Sequence, residues 1–126
     1  MKAAIATKYG APDVLRIEEV EKPVPRDNEV LIEVRATTVT SGDWRVRSLN
    51  VPPGFGLIAR LAFGVFRPRQ PILGTELAGE IEAVGKAVTR FEVGDQVFAF
   101  SDARMGCHAE YKAMPAEGAV ARKPAN

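Results

Sequence analysis

The chain contains 126 residues, of which 46% are hydrophobic and 26% charged, and its 17 basic and 16 acidic residues give a formal net charge of +1. This size and composition are typical of one domain with a core of its own, and the near-neutral charge argues against nucleic acid as a partner. Because the chain has a single cysteine, Cys107, and a single histidine, His108, we exclude an internal disulfide and a structural zinc site.

The chain also lacks the sequence features of a secreted or membrane-spanning protein. Its first residues reach Thr7-Lys8 before a long apolar region forms, so they do not resemble a signal peptide. The longest apolar stretch, residues 57–66, contains Arg60 and Gly64 and has about half of the roughly 20 residues that a membrane crossing needs. We therefore expect a cytoplasmic protein with no membrane partner.

Most of the chain has the two-residue periodicity of β-strands. The clearest alternation runs over residues 30–37, where Val30, Ile32, Val34 and Ala36 share one face. Turn-forming residues separate this strand from the others that we predict, which are residues 2–7, 14–20, 79–84, 96–101 and 108–114. Short strands at intervals of about ten residues predict a mainly β fold, either a barrel or a sandwich.

An irregular excursion at about residues 43–70 interrupts this pattern. Short helices are predicted over residues 43–49 and 57–66, with Pro52-Pro53-Gly54 as the break between them. Long excursions of this kind are usually functional or disordered, and the apolar content of this one argues against disorder.

The sequence contains two sets of glycines whose spacing matches that of known phosphate-binding motifs. Residues 54–59, GFGLIA, match the glycine pattern of a dinucleotide fold, but two prolines precede them where a buried strand is required. Gly74 and Gly79 have the spacing of a P-loop, but Glu80 occupies the position of the phosphate-binding lysine. We reject both motifs.

Three longer segments carry a resemblance to a known family: residues 74–85 (GTELAGEIEAVG), 91–98 (FEVGDQVF) and 108–111 (HAEY). Together with Met1-Lys2-Ala3, Tyr9-Gly10, Val14-Leu15 and residues 30–34 (VLIEV), they resemble the N-terminal GroES-like catalytic domain of medium-chain dehydrogenases/reductases. The resemblance covers all 126 residues in order. It implies a partly open β-barrel that carries the substrate side of an NAD(P)H-dependent oxidoreductase.

The resemblance also indicates a branch of this family. Zinc-dependent members have a cysteine and a histidine where this chain has Thr40 and Thr75, and threonine hydroxyls are poor zinc ligands. Residues 39–45 (VTSGDWR) are similar to the Val-Asn-Pro-x-Asp-Trp-Lys segment of the zinc-independent, quinone-oxidoreductase-like branch. Here Thr40 replaces the asparagine, and Ser41-Gly42 replaces the proline. We expect no zinc and no other metal.

The chemistry that this branch implies is hydride transfer from NADPH to a quinone or an enone, with negative charge developing on the substrate oxygen. Hydrogen-bond donors must then stabilise that oxygen in place of a metal ion. We predict Thr40 and Thr75 as the catalytic donors, with Ser41 and Trp44 as substrate-binding residues. For Trp44, packing of the excursion onto the barrel is the alternative interpretation.

Other candidate residues receive structural interpretations. Asp43 is predicted to cap the following helix rather than to act in catalysis, and Glu76 to bond to backbone or to an arginine. Cys107 and His108 are predicted to be a buried thiol and a polar strand residue on opposite faces. The arginines of the excursion either form a solvated face or attract the phosphates of NADPH, and they are Arg45, Arg47, Arg60, Arg67 and Arg69.

The resemblance further implies that a Rossmann nucleotide-binding domain, absent from these 126 residues, makes most contacts with NADPH. We therefore expect the isolated chain to be inactive. The surface that would face the missing domain, including residues 57–66, is expected to be left open and to favour dimer formation. The full-length protein is expected to form a homodimer. Two alternatives stay open, namely a zinc-dependent alcohol dehydrogenase domain and a non-enzymatic GroES-like binding module.

Overall fold

The computed structural model describes residues 1–125, and most of its regular structure is β-strand. Two helices lie between the third and fourth strands. Single 3₁₀ turns cover Pro12–Val14 and Asp102–Arg104. In chain order the elements are β1 (Lys2–Ala6), β2 (Leu15–Glu19), β3 (Glu29–Thr37), α1 (Ser41–Ser48), α2 (Gly56–Phe63), β4 (Glu76–Val84), β5 (Gln96–Phe100), β6 (Tyr111–Pro115) and β7 (Val120–Arg122).

Five of the strands form one antiparallel sheet in the order β6-β3-β4-β5-β7. Strands β1 and β2 form a separate antiparallel pair, which single bridges join to the segments around Ile72 and Ala109. Within the described residues β2 pairs only with β1, so the two sheets do not close into a continuous barrel. The prediction of a mainly β fold with a partly open barrel is confirmed.

The core follows from the alternation that the sequence shows in β3. Val30 and Ile32 are fully buried, and Val34 packs against the same cluster, so these three share the inner face as predicted. The prediction is wrong for Ala36, which is exposed after the register shift that follows Val34. Ile81 and Val97 complete the centre of this cluster from the neighbouring strands. Register shifts after Leu31 and after Val34 twist β3 as it crosses the sheet.

The predicted boundaries of several elements are wrong. Strand β4 begins at Glu76, three residues before Gly79, because its first residues pair with β5. Strand β6 begins at Tyr111 rather than at His108, since the backbone N–H of His108 bonds to the Leu73 carbonyl instead. Helix α2 ends at Phe63, three residues early, because Gly64 leaves the helical conformation. Strand β7 was not predicted at all.

Gly79 lies on β4 at a position where the backbone of β3 is close to it. A Cβ atom at this position would overlap the backbone carbonyl oxygen of Glu33, and it would lie 2.9 Å from Cγ2 of Ile32. Gly79 pairs directly with Val34 in the register of the two strands. The pairing at the centre of the sheet therefore depends on a residue without a side chain.

The excursion consists of α1, α2 and their connections, and it is held onto the barrel by specific bonds. The Tyr9 hydroxyl donates to the Gly64 carbonyl at 2.7 Å, and the Arg47 guanidinium donates to the Gly10 carbonyl at 3.2 Å. Each helix has eight residues. Neither is long and apolar enough to span a membrane, and no other helix in residues 1–125 is.

Candidate functional site

The N-terminus of α1 is fixed by a reciprocal pair of side-chain bonds. The Thr40 hydroxyl accepts from the backbone N–H of Asp43 at 3.2 Å, and Oδ2 of Asp43 accepts from the backbone N–H of Thr40 at 2.9 Å. The Thr40 hydroxyl also donates to the same carboxylate oxygen at 3.1 Å. This arrangement is a capping box, which satisfies two N–H groups that have no partner within the helix. Asp43 takes part in the cap as predicted, but from the third position of the helix, with Thr40 as the N-cap residue. The helix therefore begins at Ser41, two residues before the predicted start at residue 43.

Asp43 also joins α1 to the segment that precedes β4. Its carboxylate is buried, at 3% exposure, and Oδ1 accepts the backbone N–H of Gly74 at 3.2 Å. On its other side, Oδ2 lies 3.9 Å from Nε2 of His108. One buried carboxylate therefore accepts three hydrogen bonds and faces an imidazole, and sequence reasoning missed this wider role.

His108 reaches back to the chain just after β3. Its Nε2 lies 2.8 Å from the carbonyl oxygen of Thr38, and because a carbonyl oxygen only accepts, Nε2 carries the proton in this bond. The neighbouring Cys107 is fully buried in the main core. Burial raises the pKa of the Cys107 thiol to about 11, so the thiol stays protonated at neutral pH. The prediction of a buried thiol at Cys107 is confirmed, whereas the prediction that His108 is a strand residue is wrong, because β6 begins only at Tyr111.

Thr75 and Glu76 lie at the start of β4, opposite the end of β5. The Thr75 carbonyl accepts the Ser101 N–H at 2.6 Å. Within residues 1–125 the half-buried Thr75 side chain has no hydrogen-bond partner. The Glu76 carboxylate accepts from the Thr38 hydroxyl at 2.8 Å. Glu76 is thus tied to a threonine, and the expected backbone or arginine partner of its carboxylate is wrong.

Ser41 and Trp44 lie on the exposed side of α1. Ser41 is the first helical residue and is open to solvent, while the Trp44 side chain is 40% exposed. The guanidinium of Arg45 lies 5.6 Å from the centroid of the indole ring. An exposed indole suits either of the two interpretations made from the sequence, so the substrate-binding roles of Ser41 and Trp44 stay predictions.

Two apolar cavities open on either side of the end of β3, and Ala36 and Thr37 line both. The larger, of about 620 Å³, lies over β3, β4 and β5 and includes Thr38, Glu76, Phe98 and Phe100 among its lining residues. The second, of about 540 Å³, lies towards β1 and β2 and includes Asp43 and His108. Thr40, Ser41, Trp44 and Thr75 border neither cavity directly.

The larger cavity has an aromatic wall that the sequence analysis did not single out. Phe98 and Phe100 are two residues apart on β5, so they share a face, and they are 49% and 48% exposed. Their cross-strand partners are Ala78 and Glu76, which places a carboxylate beside Phe100. Apolar residues at alternate positions on the outer face of a strand could have signalled this wall.

The comparisons with known proteins agree with this architecture. Residues 26–125 match the family described as the alcohol dehydrogenase GroES-like domain. The chain is 36% identical over 126 residues to a quinone oxidoreductase of Lama guanicoe, covering 98% of this chain and 34% of that protein. It is also 36% identical over 121 residues to a chloroplastic quinone-oxidoreductase homolog of Spinacia oleracea, covering 91% of this chain and 32% of that protein. The chain thus spans about a third of the length of these relatives.

Solved structures give the same result. A quinone oxidoreductase from Coxiella burnetii superimposes with a TM-score of 0.82 at 27% identity, covering 99% of this chain and 37% of that one. An Escherichia coli quinone oxidoreductase complexed with NADPH superimposes with a TM-score of 0.78 at 28% identity, covering 99% and 34%. The chain therefore belongs to the alcohol dehydrogenase GroES-like domain family, as a quinone-oxidoreductase-like member of the medium-chain dehydrogenases/reductases.

Proposed function

We propose that this chain forms the substrate side of an NADPH-dependent, zinc-independent oxidoreductase that reduces quinones, enones or related carbonyl compounds by hydride transfer. The observation that supports it most strongly is the larger apolar cavity, which has an aromatic wall and polar groups at one end. The quinone oxidoreductases among its relatives, one of them complexed with NADPH, support the same reaction class. A cytoplasmic location and a homodimer of the full-length protein are parts of this proposal.

The cavity suits a flat, largely apolar substrate. Its volume of about 620 Å³ lies within the roughly 300–1,000 Å³ that is typical of small-molecule sites. Phe98 and Phe100 offer ring faces against which a quinone ring can stack, and Ala36 and Ala78 leave room for it. The hydroxyls of Thr37 and Thr38 are already bonded to Glu76, so they fix the polar end of the cavity.

The developing negative charge on the substrate oxygen needs a donor that is not already engaged. The Thr75 hydroxyl has no partner within residues 1–125, and Thr75 directly precedes Glu76, which lines the larger cavity, so we propose Thr75 as the donor at the edge of that cavity although it does not line the cavity itself. Ser41 and Trp44 stay proposed substrate-binding residues outside it. The Thr40 hydroxyl instead donates to Asp43. Thr40 therefore acts as a positioning residue, which holds α1 and Asp43 in place.

The residues of this chain do not fit zinc. Threonine hydroxyls stand at positions 40 and 75, and one of them already donates to a carboxylate. Within residues 1–125 no three histidine, cysteine, aspartate or glutamate side chains come together as a metal site. We propose that the substrate oxygen is stabilised by hydrogen bonds alone.

NADPH would supply the hydride, and this chain offers no suitable cradle for its phosphates. The glycine-rich segment at Gly54 and Gly56 follows an irregular proline-containing stretch and leads into the exposed helix α2, without the preceding strand that a dinucleotide site uses. We propose that polypeptide outside these 126 residues makes most of the cofactor contacts, and that the isolated chain is inactive.

The aromatic wall can be tested by ligand titration. We expect 1,4-naphthoquinone to shift the amide NMR signals of Phe98 and Phe100, and Phe100→Ala to weaken its binding about fivefold, because stacking on one ring contributes about 1 kcal/mol. Val93→Ala, which truncates an exposed apolar side chain in the turn before β5, is the matched control and should leave the affinity unchanged. Shifts confined to residues outside the cavity, or equal affinities of the two variants, would contradict the site.

The role of the Thr75 hydroxyl can be tested in the full-length protein. We expect Thr75→Val to lower kcat about a hundredfold with little change in KM, since the lost donor acts mainly on charge that develops during the reaction. Thr75→Ser keeps the hydroxyl and should retain most of the activity. If the valine and serine variants were equally impaired, Thr75 would have a packing role only.

A further inference from the structure

Large apolar side chains cover the outer side of the excursion. Helix α2 buries only Ala59, so the side of the helix away from the barrel is apolar and open. Leu57 is 72% exposed, and Phe66, just after the helix, is 91% exposed. We call this surface the apolar tip, and it comprises Phe55, Leu57, Ile58, Leu61, Val65 and Phe66.

The apolar tip is held in its exposed position by the fold. Gly64 has a φ of 129°, which side chains rarely allow, and its N–H still bonds to the Arg60 carbonyl at 2.8 Å. The Arg60 guanidinium donates to the Val65 carbonyl at 2.6 Å, and the Arg69 N–H donates to the Phe63 carbonyl at 2.8 Å. Phe66 therefore projects from a bonded turn.

The segment of the sequence that carries this tip has charge of one sign. Between Asp43 and Glu76 the chain contains five arginines and no acidic residue, although the rest of the chain has 12 basic and 16 acidic residues. Within residues 1–125 no ion pair involves any of these arginines, which are Arg45, Arg47, Arg60, Arg67 and Arg69. Arg67 and Arg69, which follow Phe66 closely in the sequence, are both exposed.

This charge distribution discriminates between occupants of the apolar tip. A second copy docked tip to tip would bring two sets of arginines together without any acid of the segment to pair with them. An anionic bilayer surface instead offers phosphates to the guanidiniums and an acyl boundary to the apolar side chains. Short exposed helices with bulky apolar residues and flanking basic residues bind membranes in this way.

We propose that the apolar tip docks this protein onto the surface of an anionic phospholipid membrane. Phe66, Leu57 and Leu61 enter the headgroup region, and Arg67 and Arg69 contact lipid phosphates. Such docking needs no spanning helix. The proposal therefore differs from the expectation of no membrane partner, which rested on the lack of a signal peptide and of a stretch long enough to cross a membrane. The proposal does not depend on the proposed reaction.

Vesicle flotation tests it directly with the full-length protein, in which any contact between the apolar tip and polypeptide outside these 126 residues is also present. We expect vesicles containing about 30% phosphatidylglycerol in phosphatidylcholine to carry at least roughly tenfold more protein than vesicles of phosphatidylcholine alone. Binding should fall sharply at about 0.5 M salt, where the Debye length shrinks to about 4 Å. Equal binding to both vesicle types, or no binding to either, would overturn the proposal.

Two sets of variants separate the contribution of the arginines to membrane binding from that of the apolar side chains. Arg67→Glu with Arg69→Glu should reduce binding at least about tenfold, while Lys86→Glu with Lys123→Glu makes the same change in net charge outside the segment and should have a much smaller effect. Leu57→Ser with Leu61→Ser should also reduce binding, whereas Val93→Ser should not. If light scattering shows a dimer that Leu57→Ser with Leu61→Ser dissociates, and vesicles fail to bind the wild type, the tip is an interface between copies instead.

Discussion

Replacing Asp43 with alanine is expected to lower the free energy of unfolding by about 4 kcal/mol, because the change leaves buried donors without acceptors and removes a helix cap. The lost acceptors serve the N–H of Gly74 and both the N–H and the hydroxyl of Thr40. Urea denaturation followed by far-ultraviolet circular dichroism measures the effect without using the adjacent Trp44 as the probe.

Two further variants make this test specific. Asp43→Asn keeps an acceptor for the Gly74 N–H but cannot accept from both donors of Thr40 as well. It should therefore lower the free energy of unfolding by about half as much as Asp43→Ala does. Asp13→Ala removes an exposed carboxylate from another first turn and should change stability by less than about 0.5 kcal/mol. A loss below about 1 kcal/mol for Asp43→Ala would show that water replaces the carboxylate and that Asp43 does not organise the site.

Replacing Gly79 with alanine is expected to have a comparable or larger effect, about 4 kcal/mol or more. The new methyl group would overlap the backbone carbonyl of Glu33, and backbone at the centre of a five-stranded sheet cannot move without breaking ladder bonds. We expect a low yield of folded protein, and a shifted urea midpoint for any fraction that folds.

Gly56→Ala is the matched control, because a Cβ at that position meets nothing within 4 Å and Gly56 begins a helix. It should stabilise the protein by up to about 1 kcal/mol. If Gly79→Ala were as stable as Gly56→Ala, β3 and β4 could separate at no cost, and the described register would be wrong.

The sequence predicted the parts of the fold that are set by local patterns. Val30, Ile32 and Val34 occupy alternate positions of β3, and the face that they share is indeed the core. Strand β7 has three residues and forms only by pairing with β5, so its own sequence is too short to predict a strand. The start of β4 was missed for the same reason, since Glu76 and Leu77 extend the strand by pairing with β5.

In the candidate site, too, the local features could be predicted from the sequence and the long-range ones could not. The cap at Asp43 was predictable, because Thr40 and Asp43 are three residues apart and the motif is local. The bond from His108 to the Thr38 carbonyl joins residues 70 positions apart, and only the fold brings them together. The aromatic wall required knowing that Phe98 and Phe100 lie on the open face of β5, which periodicity alone does not decide.

The unpaired edge of β2 affects whether the protein aggregates at high concentration. Because β2 pairs only with β1 among the described residues, the far side of its backbone is a template on which strands of other molecules could add, the first step towards amyloid-like fibrils. Its sequence contains Arg16, Glu18 and Glu19 among two apolar residues. In a parallel, in-register stack each of these charges lies beside an identical charge, so electrostatic repulsion disfavours that mode of fibril growth along the exposed edge.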